Sequence, residues 1–312
     1  MKLKRAIFER FEAKDLGEVG HFLGVRVVRD RVRKTICLIQ DSYIEKMIAR
    51  YFGEDIPKDL PHVPLACKSG ERYKGVATKQ EIKGFQERIG SAMYCAMMTR
   101  PDVAHAVADL SRHLNNPSPE HRIAADKLLL YLYRTRYLGI QFGGEHQEIQ
   151  LMIASDAAFA DDSETRKSSQ GCIMSLFGGP VIWKAGLQAT VTTSTTEAEL
   201  LALEHTTKES IALKRLFREI CLDLGEPIRV FCDNQQTIRL VVNDLERLTT
   251  RLKHVDIQNM WLKQEHRKGT FEVTYLSTAE MPADGLTKPL TRQPFEHFRA
   301  LLNLKTVILK KT

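Results

Sequence analysis

Residues 152–171 read MIASDAAFADDSETRKSSQG, and this stretch carries aspartates at positions 156, 161 and 162. The apolar run that leads to Asp156 predicts a short strand. Three interpretations fit the stretch by itself: a surface loop, the FxDD turn of a polymerase, or the first ligand of a metal site built from distant carboxylates. The segments that surround it distinguish between them.

The segments downstream of Asp156 predict a mixed sheet. LMIASD, GCIMSLF and PVIWKA are three predicted strands, and a helix is expected from about Ser194 to Leu224. STTE at its start predicts a capping box in which Ser194 caps and Glu197 reaches back. A strand at IRVFCD, two helices, a strand at FEVTYLS and a helix over residues 283–304 complete the order βββαβααβα. This order predicts an α/β fold with a mixed five-stranded sheet and flanking helices.

The upstream segments predict a smaller α+β region. HFLGVRVVRD and RKTICLIQ alternate in polarity and indicate a β-hairpin, and DSYIEKMIARYFG indicates an amphipathic helix with Asp41 as its N-cap. Three more helices are predicted, from Gln80 to Met98, after Pro101, and from Pro119 to about Thr135.

Length and composition fit a globular protein of two domains. The chain has 312 residues, of which 43% are hydrophobic and 27% charged. The composition changes at GGEH, so we divide the chain into residues 1–145, residues 146–304 and a basic tail of residues 305–312. The formal net charge of +7 favours an anionic partner such as nucleic acid.

Cysteine usage and the absence of long apolar runs indicate where the protein acts. The six cysteines form no CxxC pair, a pattern typical of a reducing compartment. The start of the chain lacks a signal peptide's apolar stretch, and no run approaches membrane-spanning length. We expect an intracellular protein, cytoplasmic or nuclear, with no membrane partner.

Four carboxylates from separated segments can meet at one end of the predicted sheet. Asp156 and Asp233 end the first and fourth strands, and these ends coincide if the crossover makes the two strands parallel neighbours. Glu199 lies in the first turns of the crossover helix, and Asp284 begins the last predicted helix. Four unpaired carboxylates would repel one another, so their convergence predicts a hard divalent cation, Mg²⁺ or Mn²⁺. Two such ions can activate water and stabilise the leaving oxygen in phosphodiester cleavage.

The motifs carry a family resemblance over nearly the whole chain. SDAAFADDSETRKSSQGCIMSLFGGPVIWKAGLQATVTTSTTEAEL, FCDNQQTI, LKHVDIQ and PADGLTKPL resemble, in order, the ribonuclease H domain of copia-type LTR retrotransposon Pol polyproteins. Upstream, FEAKDLGEVGHFLGVRVVRD and TRPDVAHAVADLSRHLNNPSPEHRIAADKLLLYL resemble the carboxyl-terminal part of the same elements' reverse transcriptase. The resemblance implies a ribonuclease H-like fold, preceded by a thumb-like or connection-like remnant.

The resemblance also implies an activity. It is the hydrolysis of the RNA strand of an RNA–DNA hybrid by a site with two Mg²⁺ ions, for which Mn²⁺ is an alternative. The polymerase part of a reverse transcriptase is an implied partner in trans. Virus-like particles are an implied location besides the cytoplasm and the nucleus.

The implied metal ligands follow residue by residue. Asp156 matches the SDA aspartate, Asp233 the CDN aspartate and Asp284 the aspartate of the AD-x-x-TK segment. STTEAEL offers two glutamates for the fourth ligand. We favour Glu199, because the residues after it match the start of this helix in ribonuclease H domains and because Glu197 has a capping role.

The polymerase interpretation of FADD does not fit its surroundings. A polymerase FxDD sits in an apolar hairpin turn, whereas polar ETRKSSQ follows here, so Asp161 and Asp162 are expected to be solvated loop residues. Residues 1–145 contain no Y/F-x-D-D turn. We therefore expect no DNA synthesis from this chain alone.

Several other residues have two interpretations each. Arg166 and Lys167 could contact phosphates, although exposed basic residues mostly contact water. His254 in LKHVDIQ could position the hybrid or stabilise a helix terminus, and Trp183 is expected to pack rather than stack on bases. The loop STAEMPAD, before the last aspartate, lacks the histidine that many cellular ribonucleases H carry there.

Two rival functions share the fold. The first is a catalytically inactive nucleic-acid-binding remnant, which the presence of all four carboxylates disfavours. The second is a DDE-type integrase, whose last acidic residue is a glutamate about thirty-five positions after the second aspartate. Lys268 occupies that position here, so the integrase interpretation is weak.

Overall fold

The computed structural model describes residues 2–144, 151–225, 227–246, 248, 250 and 252–308. The predicted boundary between residues 145 and 146 lies outside the described residues, so the domain division stays a prediction. In the first part, the helices and strands are α1 (Lys2–Arg10), β1 (His21–Phe22), β2 (Val25–Asp30), β3 (Thr35–Ile39), α2 (Asp41–Phe52), α3 (Lys79–Met98), a 3₁₀ turn (Pro101–Val103), α4 (Ala104–Ser111), α5 (Pro119–Arg134) and β4 (Leu138–Gly143).

The second part follows the predicted order and then adds one strand. Its elements are β5 (Met152–Ala158), β6 (Ser169–Leu176), β7 (Gly179–Leu187), α6 (Thr195–Glu219), β8 (Ile228–Cys232), α7 (Gln235–Val242), α8 (Lys253–Arg267), β9 (Phe271–Tyr275), two 3₁₀ turns (Thr278–Glu280 and Asp284–Leu286), α9 (Arg292–Leu301) and β10 (Leu304–Thr306).

The second part contains the predicted mixed five-stranded sheet. Its strand order is β7-β6-β5-β8-β9, with β5–β6 and β6–β7 antiparallel and β5–β8 and β8–β9 parallel. Two hairpins therefore build one half of the sheet, and crossover helices add the other half. With α6 and α8 packed together and against this sheet, the α/β, ribonuclease H-like fold class is confirmed.

The end of the chain differs from the prediction. Instead of one helix over residues 283–304, there is a 3₁₀ turn, a short helix and a strand. Residues 305 and 306, which we placed in a basic tail, belong to β10, which pairs antiparallel with β4 of the first part. Leu304 is buried there. Its burial and the hydrogen bonds between β10 and β4 hold this segment in the fold, although its charged residues predicted a tail.

The two parts of the chain share one hydrophobic core. The buried cluster that contains Leu128 and Leu129 of α5 also contains Phe295 and Phe298 of α9. Trp183 of β7 packs against the same cluster and donates its indole N–H to the carbonyl oxygen of Ala96 in α3 at 2.7 Å, so its predicted packing role is confirmed. A second cluster lies between the five-stranded sheet and helices α6 and α8.

Helix capping agrees with the sequence at one predicted site and differs at another. Ser194 accepts the backbone N–H of Glu197, as predicted. Asp41, predicted as the N-cap of α2, is instead its first residue, and the preceding residue, Gln40, occupies the cap position. The Asp41 carboxylate forms an ion pair with Arg26 of β2 at 2.8 Å. This charge-assisted contact competes for the carboxylate with the backbone N–H groups at the start of α2.

Candidate active site

The fold brings the four predicted carboxylates to one end of the five-stranded sheet. β5 and β8 are parallel neighbours, with Ile153 paired to Val230, so their carboxyl ends coincide. Asp156 lies within β5 rather than at its end, because the strand continues to Ala158. Asp233 follows β8 directly.

The other two carboxylates come from elements that pack on these strands. Glu199 lies in the first turns of α6, which packs against β5. Asp284 opens a 3₁₀ turn that contacts β5 and β6. One carboxylate oxygen of Glu199 lies within 4.8 Å of one of Asp233, and the negative charge of Asp233 contributes to raising the pKa of each of the other three carboxyl groups.

Glu199 is the most perturbed of these groups. Its side chain is buried, with 6% of the residue exposed, and its Oε2 has no hydrogen-bond partner among the described residues. Burial, together with the negative charges of Asp156 and Asp233, raises the pKa of Glu199 to about 9, although a hydrogen bond from the backbone of Ala157 opposes the increase. A buried carboxyl oxygen without a partner is costly unless a cation binds it.

Asp156 is buried as well, and Thr287 orients it. The Thr287 hydroxyl donates to Oδ2 of Asp156 at 2.6 Å. Burial raises the pKa of Asp156 to about 6, although the Thr287 hydrogen bond opposes the increase. The aspartate is therefore held in one orientation toward its neighbours.

The remaining two carboxylates each have one close partner. Asp284 contacts the Lys288 ammonium at 2.5 Å, and burial raises the pKa of Asp284 in spite of that contact. Asp233 is half-buried and accepts a hydrogen bond from the Thr278 hydroxyl at 2.7 Å. Both partners come from the segment between β9 and α9, so this segment fixes two of the four groups.

Gly171 permits the close approach of that segment. It lies on β6 opposite Asp156. A Cβ at this position would lie 2.8 Å from the carbonyl oxygen of Ala283 and 2.8 Å from the Cβ of Leu286. The Asp284 turn can therefore pack on β6 only because residue 171 has no side chain.

We expect Gly171→Ala to displace the Asp284 turn. The change should cost about 1–3 kcal/mol of stability, as overpacking does, and should weaken divalent-ion binding because Asp284 and the Asp156 partner Thr287 move together. Denaturant unfolding and Mg²⁺ titration would measure the two effects. The matched control is Gly186→Ala on β7, where a Cβ would meet no atom within 4 Å. Equal behaviour of the two variants would contradict this account.

Glu197 caps the start of α6 by binding Thr193, whereas the predicted capping box had it reach back to Ser194. Its carboxylate accepts the backbone N–H of Thr193 at 2.6 Å and the Thr193 hydroxyl at 2.8 Å. Burial alone would raise the pKa of Glu197, but hydrogen bonds from the Thr250 hydroxyl and from Thr193 outweigh it and lower the pKa. The two glutamates of STTEAEL thus differ in their hydrogen bonds. The Glu197 carboxylate accepts hydrogen bonds from Thr193, whereas Oε2 of Glu199 has no partner among the described residues.

The prediction that Asp161 and Asp162 are solvated is wrong. Asp162 is 1% exposed and forms an ion pair with Arg112 of the first part. Asp161 accepts the backbone N–H of Ser169 at 2.7 Å and pairs with Lys68. No local pattern indicates these partners, because both basic residues lie far away along the chain.

These ion pairs tie the loop after β5 to the first part of the chain. A third pair joins Glu164 of the loop to Arg72 at 2.8 Å. The loop between Ala158 and Ser169 is therefore held at three points by basic residues of the first part. FADD is a loop segment, as predicted, and its aspartates hold the loop in place.

The predicted nucleic-acid contacts lie on loops and helix ends near these elements. Arg166 is exposed and Lys167 half-buried on the loop between β5 and β6. His254 is exposed in the first turn of α8, with its Nε2 3.2 Å from the hydroxyl of Thr190 in the segment before α6. Their contact with nucleic acid stays a prediction.

Four further residues at the site were missed in the sequence. They are the partners Thr278, Thr287 and Lys288 and the buried thiol of Cys232, which lies beside Glu199 and Asp233. The segment ADGLTK contained a usable signal, since Thr287 and Lys288 follow Asp284 at three and four residues, a spacing that returns to the same side of a helical turn.

Comparison with known proteins agrees with the resemblance. The chain is 36% identical over 310 residues to the retrovirus-related Pol polyprotein from transposon TNT 1-94 of Nicotiana tabacum, a match that covers 97% of this chain and 23% of the relative. It is 32% identical over 303 residues to the corresponding polyprotein from transposon RE1 of Arabidopsis thaliana, covering 96% of this chain and 20% of the relative. The chain thus spans less than a quarter of these relatives' length.

Solved structures and family models were also compared with the chain. Ribonuclease H1 from Halobacterium salinarum matches 44% of this chain and 93% of its own, with 16% identity and a TM-score of 0.33. No family model matches the chain. Among the residues that the structure describes, none of the helices combines the length and apolar character that crossing a membrane requires. On the similarity to the transposon polyproteins over nearly all of its residues, the chain belongs to the family of copia-type retrotransposon Pol polyproteins.

Proposed function

We propose that this chain hydrolyses the RNA strand of RNA–DNA hybrids, as part of a reverse transcriptase polyprotein or as a remnant of one. The observation that carries the proposal is the buried Oε2 of Glu199, which has no hydrogen-bond partner among the described residues and lies among three other carboxylates. Family membership supports it, because the four carboxylates match the aspartates and the glutamate that the resemblance implies.

The residues present fit a pair of divalent cations. Asp156, Glu199, Asp233 and Asp284 offer oxygen ligands, and the first two are almost completely buried. Hard ions such as Mg²⁺, or Mn²⁺ in its place, prefer such ligands. Two bound ions would supply an activated water and stabilisation of the leaving oxygen in phosphodiester hydrolysis.

The chain's own residues prepare the site for this reaction. Thr287 holds Asp156 and Thr278 holds Asp233, so both aspartates are oriented before an ion or substrate binds. Lys288 neutralises part of the negative charge beside Asp284, which lessens the repulsion between the site and the phosphates of a nucleic acid.

The loop after β5 supplies the proposed substrate contacts. Arg166 and Lys167 lie on this loop, which the first part of the chain holds by ion pairs, and they would contact backbone phosphates. His254, in the first turn of α8, would position the hybrid. A polymerase part acting in trans would generate the hybrid, in the cytoplasm, the nucleus or a virus-like particle.

One assay tests the proposal directly. Purified full-length protein is incubated with end-labelled RNA–DNA hybrid, duplex DNA and duplex RNA at one salt concentration, with Mg²⁺ or with a chelator. We expect cleavage of the RNA strand of the hybrid alone, and only with Mg²⁺, because the ribose 2′-hydroxyl distinguishes the RNA strand. Equal cutting of duplex DNA would overturn the proposed substrate.

A catalytically inactive nucleic-acid-binding remnant is the alternative function. It predicts hybrid binding without cleavage under any divalent ion. Binding that weakens steeply with salt is expected from both functions, because basic side chains displace counterions from the nucleic acid. Cleavage, and not affinity, therefore discriminates between them.

The raised pKa values predict how stability depends on pH. The folded, metal-free protein keeps the Glu199 proton up to about pH 9, whereas the unfolded chain releases it near 4.5, so the folded state binds more protons between these values. Stability of the metal-free protein should therefore fall as pH rises through this window. Glu199→Gln should reduce that fall, since an amide does not titrate.

Thermal unfolding in chelator at about pH 5 and about pH 9 would measure the effect. Mg²⁺ should raise the midpoint at the higher pH in the wild type, because it binds the ionised carboxylates of the folded state. A wild-type midpoint that rises toward the higher pH in chelator, with the slope unchanged in Glu199→Gln, would contradict the prediction.

A further inference from the structure

A thiol lies beside the carboxylates of the candidate active site. Cys232 is the last residue of β8 and is fully buried. Its sulfur and one carboxylate oxygen from each of Glu199 and Asp233 all lie within 4.8 Å of one another. The sequence predicted oxygen ligands only, whereas the structure places a sulfur atom at one corner of the site.

The atoms of Glu199, Cys232 and Asp233 that lie together here are available to bind a ligand. Glu199 Oε2 is buried and has no hydrogen-bond partner among the described residues. The hydrogen bonds of the Cys232 sulfur are weak, because a thiol is a poor donor and acceptor: it accepts the Asn234 backbone N–H at 3.4 Å and donates to the Asn234 carbonyl oxygen at 3.9 Å. Asp233 is half-buried, so the corner is open to solvent on that side.

We propose that Glu199, Cys232 and Asp233 form a binding site for a thiophilic divalent cation such as Zn²⁺, and that this ion inhibits the proposed ribonuclease. Zinc binds thiolate sulfur at about 2.3 Å and carboxylate oxygen at about 2.0–2.2 Å. Three such ligands within 4.8 Å of one another can reach one ion after small side-chain rotations. On binding, the Cys232 S–H bond and the Glu199 O–H bond are replaced by bonds to zinc, and both protons pass to the buffer.

The same ligands discriminate between ions. Mg²⁺ prefers oxygen ligands and gains little from a sulfur, whereas Zn²⁺ gains a strong bond. The order of affinities for divalent first-row metals also places Zn²⁺ far above Mn²⁺. A thiophilic ion at this corner occupies two of the four carboxylates that the proposed reaction needs, so Zn²⁺ and the two Mg²⁺ ions compete.

Binding is measured first, without reference to cleavage. Co²⁺ is titrated into the reduced, chelator-treated full-length protein, because a bond between cobalt and a thiolate gives a charge-transfer absorption in the near ultraviolet. Cys67 and Cys221 are exposed, so both are replaced by serine in every sample. Cys232→Ser is compared with Cys172→Ser, which removes another buried thiol from β6.

We expect the absorption in the parent protein and in Cys172→Ser, its loss in Cys232→Ser, and its disappearance when Zn²⁺ displaces Co²⁺. Cys232→Ala is the second variant, and circular dichroism verifies that each protein is folded. No absorption in the folded parent protein, or its persistence in either Cys232 variant, would overturn the zinc site.

Inhibition is measured separately and rests on the proposed function. At a fixed excess of Mg²⁺, hybrid cleavage is followed as Zn²⁺ rises, and the midpoint of inhibition should shift to higher Zn²⁺ by more than about tenfold in Cys232→Ser relative to Cys172→Ser. Equal midpoints would overturn the inhibitory role. Absence of any cleavage would instead contradict the proposed function, while the Co²⁺ titration still decides whether the site exists.

Discussion

Glu199→Gln should abolish Mg²⁺-dependent cleavage of an RNA–DNA hybrid. The glutamine amide is a poorer ligand for a hard cation than a carboxylate, and it removes one negative charge from the group of four. Loss of several kcal/mol of metal-dependent stabilisation of the transition state corresponds to a decrease in rate of about 10³-fold or more. Initial rates at saturating Mg²⁺ would measure it.

The matched control lies two residues earlier on the same helix. Glu197→Gln should retain most of the activity, because the glutamine oxygen can still accept the hydrogen bonds that Thr193 now donates to the carboxylate. Hybrid binding by Glu199→Gln should remain intact, since the proposed phosphate contacts come from Arg166 and Lys167 and not from Glu199. If Glu197→Gln were the inactive protein, the assignment of the two glutamates would be reversed.

Most of the sheet could be predicted from the sequence, because alternation and turn residues are local signals. The order of hairpins and crossover helices placed the ends of β5 and β8 together, and the parallel pairing of these strands confirms that step. The resemblance selected the same four carboxylates that converge in the fold. Their roles as ligands remain proposals.

The sequence failed wherever a partner comes from far along the chain. Asp161 and Asp162 are local loop residues by composition, and only the fold brings Lys68 and Arg112 to them. The residues of β10 have the composition of a charged tail, and their pairing with β4 spans more than 160 residues, as in the register of Leu304 with Ile140. Long-range pairing leaves no local pattern.

The presence of the Cys232 thiol at the site also could not be predicted from the sequence. In an extended strand, successive side chains point to opposite faces, so Cys232 and Asp233 should not share a site. The strand ends at Cys232, however, and the change of backbone direction at its end brings both side chains within reach of Glu199. Strand ends are where such alternation arguments fail.

Asp102→Asn should strongly destabilise the protein, because it leaves a buried arginine without its counter-ion. The side chains of Arg100 and Asp102 are both 0% exposed, and Asp102 accepts hydrogen bonds from Nε of Arg100 at 2.8 Å and Nη2 at 2.7 Å. The hydroxyl of Tyr131 donates a third hydrogen bond to the same carboxylate at 2.5 Å. Removing one partner of a buried ion pair typically lowers the free energy of unfolding by about 3–5 kcal/mol.

The effect should reach the candidate active site. The Tyr131 ring contacts Phe295 edge-on with centroids 5.6 Å apart, and Phe295 shares α9 with Phe298. Phe298 lies over Gly285, where an added Cβ would be 2.6 Å from its ring, next to Asp284. Loosening the buried pair is therefore expected to lower the temperature at which cleavage is lost as well as the free energy of unfolding.

Urea unfolding of Asp102→Asn and of a matched surface variant, Asp244→Asn, would measure the difference. Asp244 pairs with Arg267 at 2.6 Å, but the two side chains are 60% and 55% exposed. Exposed pairs contribute about 0–1 kcal/mol, so Asp244→Asn should be close to the wild type. A loss in Asp102→Asn as small as that in Asp244→Asn would contradict the prediction, because it would mean that water or a shifted side chain compensates Arg100. A large loss of stability confined to Asp102→Asn is the expected result, and a lower temperature for loss of cleavage in the same variant would connect the buried pair to the Asp284 turn.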